Sequence, residues 1–144
     1  MGNLLPYHFW CNEFILKRDI EDIEDIKLFV DEFYLKVKKD RLIGPVFLEV
    51  IPQDWQPHLN KMYAFWNGAL FGIPEFKGNP FAKHAPLKIE KVHFERWLYL
   101  FDETIDQYFD GQMATDVKKR AHLMAQMFIN RLQGMSLGAD KVIF

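Results

Sequence analysis

Cysteine is almost missing from this chain: Cys11 stands alone among 144 residues. One cysteine cannot close an intramolecular disulfide, and its solitude fits a reducing compartment. An excess of charge of either sign is missing too. The 18 Lys and Arg are interspersed with 20 Asp and Glu, for a net charge of −2. No basic stripe is left to track a phosphate backbone, so nucleic acid is not an expected partner. Long apolar runs are absent as well. Nothing approaches the ~20 residues that a membrane-spanning helix needs. The opening stretch carries Leu4, Leu5, Tyr7, Phe9 and Trp10, but Pro6, His8 and Asn12 interrupt it and no basic start precedes it. It therefore makes a poor signal peptide. The expectation is a cytoplasmic protein with no membrane partner. There is also no Gly-rich phosphate loop, no GxSxG elbow and no HExxH pair, so a stand-alone hydrolase has little support.

What the chain does have is aromatic weight. Aromatic residues make up 16% of it, with 14 Phe and 4 Trp. Large flat side chains suit a core that lines a flat ligand, and equally an ordinary core. The apolar period is helical. Ile23, Ile26, Val30, Phe33 and Val37 step by threes and fours. Acids crowd the front of that segment from Asp19 to Asp25 and Lys36, Lys38 and Lys39 its end, as a helix dipole favours. Gly44-Pro45 then reads as a break, with residues 47–51 a short apolar connector. A second helix is expected near Asp54, with Pro57 in its first turn and Trp55, Leu59, Met62, Trp66, Ala69 and Leu70 as its buried stripe. Residues 72–87 hold Gly72, Pro74, Gly78, Pro80 and Pro86, which forbid a long helix and predict a loop around His84. Two more helices follow, one faced by Phe94, Trp97, Phe101, Ile105 and Tyr108, the other by Val117, Ala121, Met124, Phe128 and Leu132. No strand alternation and no repeat interrupts them. The class is all-α.

The five histidines read differently from one another. His8 and His122 read as surface residues, and His93 as a packing residue beside the Phe94 stripe. His58 lies one position off its helix's stripe, so it leans toward any pocket at that helix edge. His84 is held in the loop between Pro80 and Pro86, where a lone imidazole is more often solvated than a ligand.

Longer patterns change that balance. The stretches VDEFYLKVKKDRLIGPVF (30–47), DWQPHLNKMYAFWNGALFG (54–72), GNPFAKHAPL (78–87), HFERWLYLF (93–101) and KKRAHLMAQMF (118–128) resemble, in order and spacing, the group III truncated haemoglobins. The resemblance runs from about Asp25 to Leu132. It implies a truncated globin fold, two helices over two around haem b (iron protoporphyrin IX), with the globin domain at 19–133 and a tail at 134–144; residues 1–18 depart from the family pattern as an N-terminal extension. It implies His84 as the proximal iron ligand, Tyr34, Trp97 and His58 as the distal polar residues, and Phe47 wedging the porphyrin. Phe33, Met62, Phe65, Trp66 and Phe94 complete the expected cofactor contacts. Tyr34 and Trp97 each bring a donor into an apolar stripe that needs an acceptor, either a backbone carbonyl of a plain core or a bound diatomic ligand.

The implied function is binding of oxygen, nitric oxide or another diatomic ligand at ferrous iron, for redox chemistry rather than bulk transport. Nitric oxide dioxygenation or peroxide reduction would use the same pocket. No flavin or nicotinamide motif is present, so either would need an external reductase. A haem carrier or sensor and a haem-free helical interaction domain are the rival readings.

Overall fold

Asp22 explains why the first helix starts where it does. In a computed structural model describing residues 17–51, 53–74 and 89–138, its side chain accepts from the backbone N–H groups of Glu24 and Asp25. Helix α1 then runs Ile23–Lys39 and buries the predicted stripe from Ile26 to Val37. Four further helices follow among the described residues: α2 Gly44–Val50, α3 Gln56–Phe71, α4 Lys91–Tyr108 and α5 Gln112–Gly138. Helix α1 packs on α3, α4 packs on α5, and α1 crosses to α4, so two helix pairs lie one over the other. Phe29, Phe33, Ile26, Phe101, Ile105 and Val117 fill the space between the pairs and are fully buried.

Two expectations need correcting. Residues 47–51 are not a mere connector, because α2 covers most of them and begins at the supposed break. Pro45 sits in its first turn, where a missing N–H costs nothing. Gly44 is needed because a Cβ there would stand 3.0 Å from the carbonyl oxygens of Val37 and Lys38. At the other end α5 does not stop before Gly134 but continues to Gly138. One glycine costs a helix only about 1 kcal/mol and does not end it.

The start of α3 follows expectation more closely. Asp54 Oδ1 accepts from the Gln56 N–H at 3.0 Å, Pro57 lies in the first turn, and Gly72, at φ 72°, ends the helix.

The segment before α1 is stitched to the far end of the chain. Asp19 accepts from the backbone N–H groups of Met113 and Ala114 at 2.9 Å each, so it caps α5 from 94 residues away. Gly111 lies at φ 145°, and a Cβ there would meet the Asp19 carboxyl carbon at 2.4 Å; no other residue fits that turn. Buried Asp25 receives both guanidinium nitrogens of Arg18 and the Glu21 N–H. Asp40 takes the N–H groups of Leu42 and Ile43 and the Arg96 Nε at 2.7 Å, tying the α1–α2 corner to α4.

These three carboxylates predict the acid limb of stability. Burial alone would raise the pKa of each, but the donors outweigh it and hold Asp19, Asp25 and Asp40 below the ordinary carboxylate value. A depressed folded-state pKa contributes stability that is present above the unfolded value, ~3.9, and is lost as pH falls through the folded one. Thermal midpoints should therefore be level from neutral pH to about 5 and fall steeply below about 4. Asp25→Asn should flatten that fall; an unchanged acid limb would show that the Arg18–Asp25 pair contributes nothing to it.

Candidate functional site

The cleft is built where α1, α2, α3, α4 and α5 all present aromatic or aliphatic side chains to one space. Phe33 and Tyr34 come from α1, and Ile43 and Phe47 from the α2 corner. Met62, Phe65 and Trp66 come from α3, Phe94 and Trp97 from α4, and Met124 and Phe128 from α5. The space between these side chains, with the open mouth and its solvent counted, is about 840 Å³. None of the described residues lining it is Asp, Glu, Lys or Arg.

Tyr34 is the polar exception deepest in this wall. It is 5% exposed. Its ring is fixed edge-on by Phe33 at 4.8 Å and Phe47 at 6.2 Å, with Trp55 tilted at 5.9 Å. Among the described residues no acceptor comes within hydrogen-bonding reach of its hydroxyl. Burial alone pushes the phenol far above its ordinary pKa, so it is a neutral donor at any physiological pH. Trp97 stands beside it on α4. It meets Phe33 edge-on at 5.2 Å and stacks on Phe101 at 5.4 Å with rings only 7° from parallel. Phe101 stacks in turn on Trp66, so the inner wall is a continuous aromatic layer.

Of the expected cofactor contacts, Phe33, Tyr34, Phe47, Met62, Phe65, Trp66, Phe94 and Trp97 all border this cleft. His58 does not. Its ring meets that of Tyr34 edge-on at 5.0 Å and that of Trp55 at 6.1 Å. His84 lies outside the described residues. His122, read as a surface residue, is exposed and bonds Asp102 at 2.7 Å.

His93, read as packing, borders the cleft, and its Nδ1 accepts from the Glu90 N–H at 2.9 Å. Its place was visible in the spacing, since residues 93 and 97 are four apart and share a helix face.

The model of the bacterial-like globin family matches residues 20–131. The chain belongs to that family. Among curated proteins, this globin is 34% identical over 113 residues to the group 3 truncated hemoglobin ctb of Campylobacter jejuni, covering 76% of this chain and 89% of that one. The crystal structure of the group III truncated hemoglobin from Campylobacter jejuni superposes with a TM-score of 0.76 at 33% identity, over 81% of this chain and 95% of that one. A truncated oxygen-avid haemoglobin from Bacillus subtilis shares the fold at a TM-score of 0.66 and 24% identity, over 74% and 92% of the two chains. The all-α truncated globin fold and the group III likeness expected from the motifs are both borne out. No helix of the described residues is long and apolar enough to cross a membrane.

Proposed function

We propose that this truncated globin binds haem b in the cleft, with His84 as its proximal ligand, and holds oxygen or another diatomic ligand for redox chemistry. The observation that carries the reading is the Tyr34 hydroxyl, a buried donor bordering an apolar cleft with no acceptor among the described residues. A hydroxyl on so buried a ring that opens on the cleft and finds no protein acceptor suits a bound ligand better than a plain core, because an unmade buried hydrogen bond costs roughly 1–3 kcal/mol. The residues present suit a flat, largely apolar cofactor: an aromatic layer on one side, Phe47 at the corner, and aliphatic residues around them. When bound, haem supplies the iron at which a diatomic ligand is held.

The rest is the work of this chain's side chains. Tyr34 would offer its O–H to a ligand held in the cleft and, being neutral, would bring no competing charge. Trp97, its ring fixed by the stack on Phe101, would offer its indole N–H from α4. Both donors are fixed before the ligand arrives, so little reorganisation opposes them, and exclusion of water strengthens both bonds. His58 packs on Tyr34 by an edge-on ring contact. A tightly held ligand leaves slowly, which suits redox turnover better than transport. Turnover also needs an electron donor, supplied here by a separate reductase.

The deciding experiment is the visible spectrum of haem-reconstituted wild type beside His84→Ala. The expected result is a strong Soret band in wild type, with ferrous bands that change in the variant and return when imidazole is added. Wild type that takes up no stoichiometric haem would defeat the reading. Uptake indifferent to the His84 change would remove His84 from the iron.

A further inference from the structure

The ring of His93 is held in a defined protonation pattern. Its Nδ1 accepts from the Glu90 backbone N–H at 2.9 Å, while the His93 N–H bonds back to the Glu90 carbonyl at 3.0 Å. An imidazole nitrogen that accepts a hydrogen bond carries no proton, so the neutral ring has its proton on Nε2. A protonated Nδ1 would instead point N–H at N–H and break this contact. Nε2 is thus a donor and has no lone pair to offer a metal. No acceptor for it exists among the described residues, although the ring borders the cleft.

Position adds the second half of the case. The deep wall of the cleft is fully buried at Phe33 and Phe101, whereas His93 is partly exposed and its neighbours Glu90 and Val92 face solvent. His93 therefore stands at the rim, where a cofactor's polar edge would meet water. Among the described lining residues the other side-chain donors of hydrogen bonds bound to nitrogen or oxygen are Tyr34, Trp66 and Trp97, and Tyr34 and Trp66 are buried in the interior.

We propose that the Nε2–H of His93 holds a carboxylate of the porphyrin at the cleft rim, and that the same tautomer keeps His93 off the iron. This rests on the haem reading given above. A hydrogen bond to an ionised acceptor is stronger than a neutral one, so its loss should show in how long the cofactor is retained.

The test is a double-mutant-style cycle in which one variable is the residue and the other is the cofactor. Wild type and His93→Phe are each reconstituted with iron protoporphyrin IX and with its dimethyl ester, whose carboxyl groups cannot act as anions. The rate of transfer to an excess of a haem-free acceptor globin is then measured. With the free acid, His93→Phe should lose its cofactor about tenfold faster, the ratio equivalent to about 1.4 kcal/mol. With the dimethyl ester, the two proteins should lose it at rates within about twofold, a margin far below that tenfold step. His93→Gln, which keeps an N–H donor at similar reach, should recover part of the difference. A variant that loses acid and ester equally faster would mean that His93 only caps α4, and would overturn the proposal. Equal rates for wild type and variant with the free acid would overturn it too. Failure of wild type to take up either cofactor would overturn the haem reading itself, and is read separately before any variant is compared.

Discussion

Tyr34→Phe is expected to raise the oxygen dissociation rate of the ferrous protein at least tenfold while leaving the haem-free protein no less stable. The two halves follow from one observation. The ring is held by Phe33, Phe47, Trp55 and His58, and the substitution keeps that ring, so packing changes little. What disappears is a hydroxyl that no described residue accepts from and whose burial alone raises its pKa. In the haem-free protein that hydroxyl contributes nothing to set against its desolvation, so its removal is neutral or stabilising. With a ligand in place it donates to an oxygen bearing partial charge, and such bonds are worth about 1.5–3 kcal/mol, or roughly 10- to 150-fold in rate. Were Tyr34 instead bonded to a core carbonyl, the same change would lower stability and leave ligand release alone. A dissociation rate altered by less than about threefold, well short of that tenfold step, would remove Tyr34 from the ligand's neighbourhood. Trp97→Phe should act in the same direction, but it also replaces the indole stacked on Phe101, so its rate change must be read beside its thermal midpoint.

Much of the fold was legible because its helices are amphipathic in the ordinary way. The stripe Ile26–Val30–Phe33–Val37 and the stripe Phe94–Trp97–Phe101–Ile105 each lie on the face that the structure buries or turns to the cleft. Helix α2 was not legible. It has seven residues, opens with Gly-Pro, and turns Leu48 and Val50 outward, so its apolar content does not form a stripe at helical spacing. The capping of α5 by Asp19 was out of reach for a different reason. Nothing local marks a carboxylate as the partner of backbone groups 94 residues away.

The site divides along the same line. Tyr34, Phe47, Met62, Phe65, Trp66 and Trp97 were found through long motifs and all border the cleft. The contribution of α5 was missed, because Met124 and Phe128 look like any core stripe until a cleft opens beside them. His58, expected at the distal face, packs edge-on against Tyr34 and is not among the residues that border the cleft. Spacing along a helix tells which face a residue shares, not how far its side chain reaches into a neighbouring cleft.

Phe29→Ala should cost more stability than any surface change, about 3–5 kcal/mol, out of the 5–15 kcal/mol typical of a whole domain. Phe29 is wholly buried and meets three rings edge-on: Phe101 at 5.8 Å, Trp66 at 6.1 Å and Phe109 at 6.5 Å. Removing it forfeits the burial of a large apolar side chain and leaves a cavity that rigid aromatic neighbours cannot close. Two of those neighbours, Trp66 and Phe101, are also the back wall of the cleft. The substitution should therefore loosen the cofactor as well as the fold, through the stack that keeps Trp97 in plane. Urea unfolding of the haem-free protein measures the first effect, and cofactor transfer to an acceptor globin the second. Leu123→Ala, at a side chain 66% exposed on the outer face of α5, serves as the control and should change stability by no more than about 0.5 kcal/mol. If Phe29→Ala cost as little as that control, the core would not be organised around Phe29. If it destabilised the fold but left cofactor retention unchanged, Trp66 and Phe101 would hold the cleft wall without support from behind.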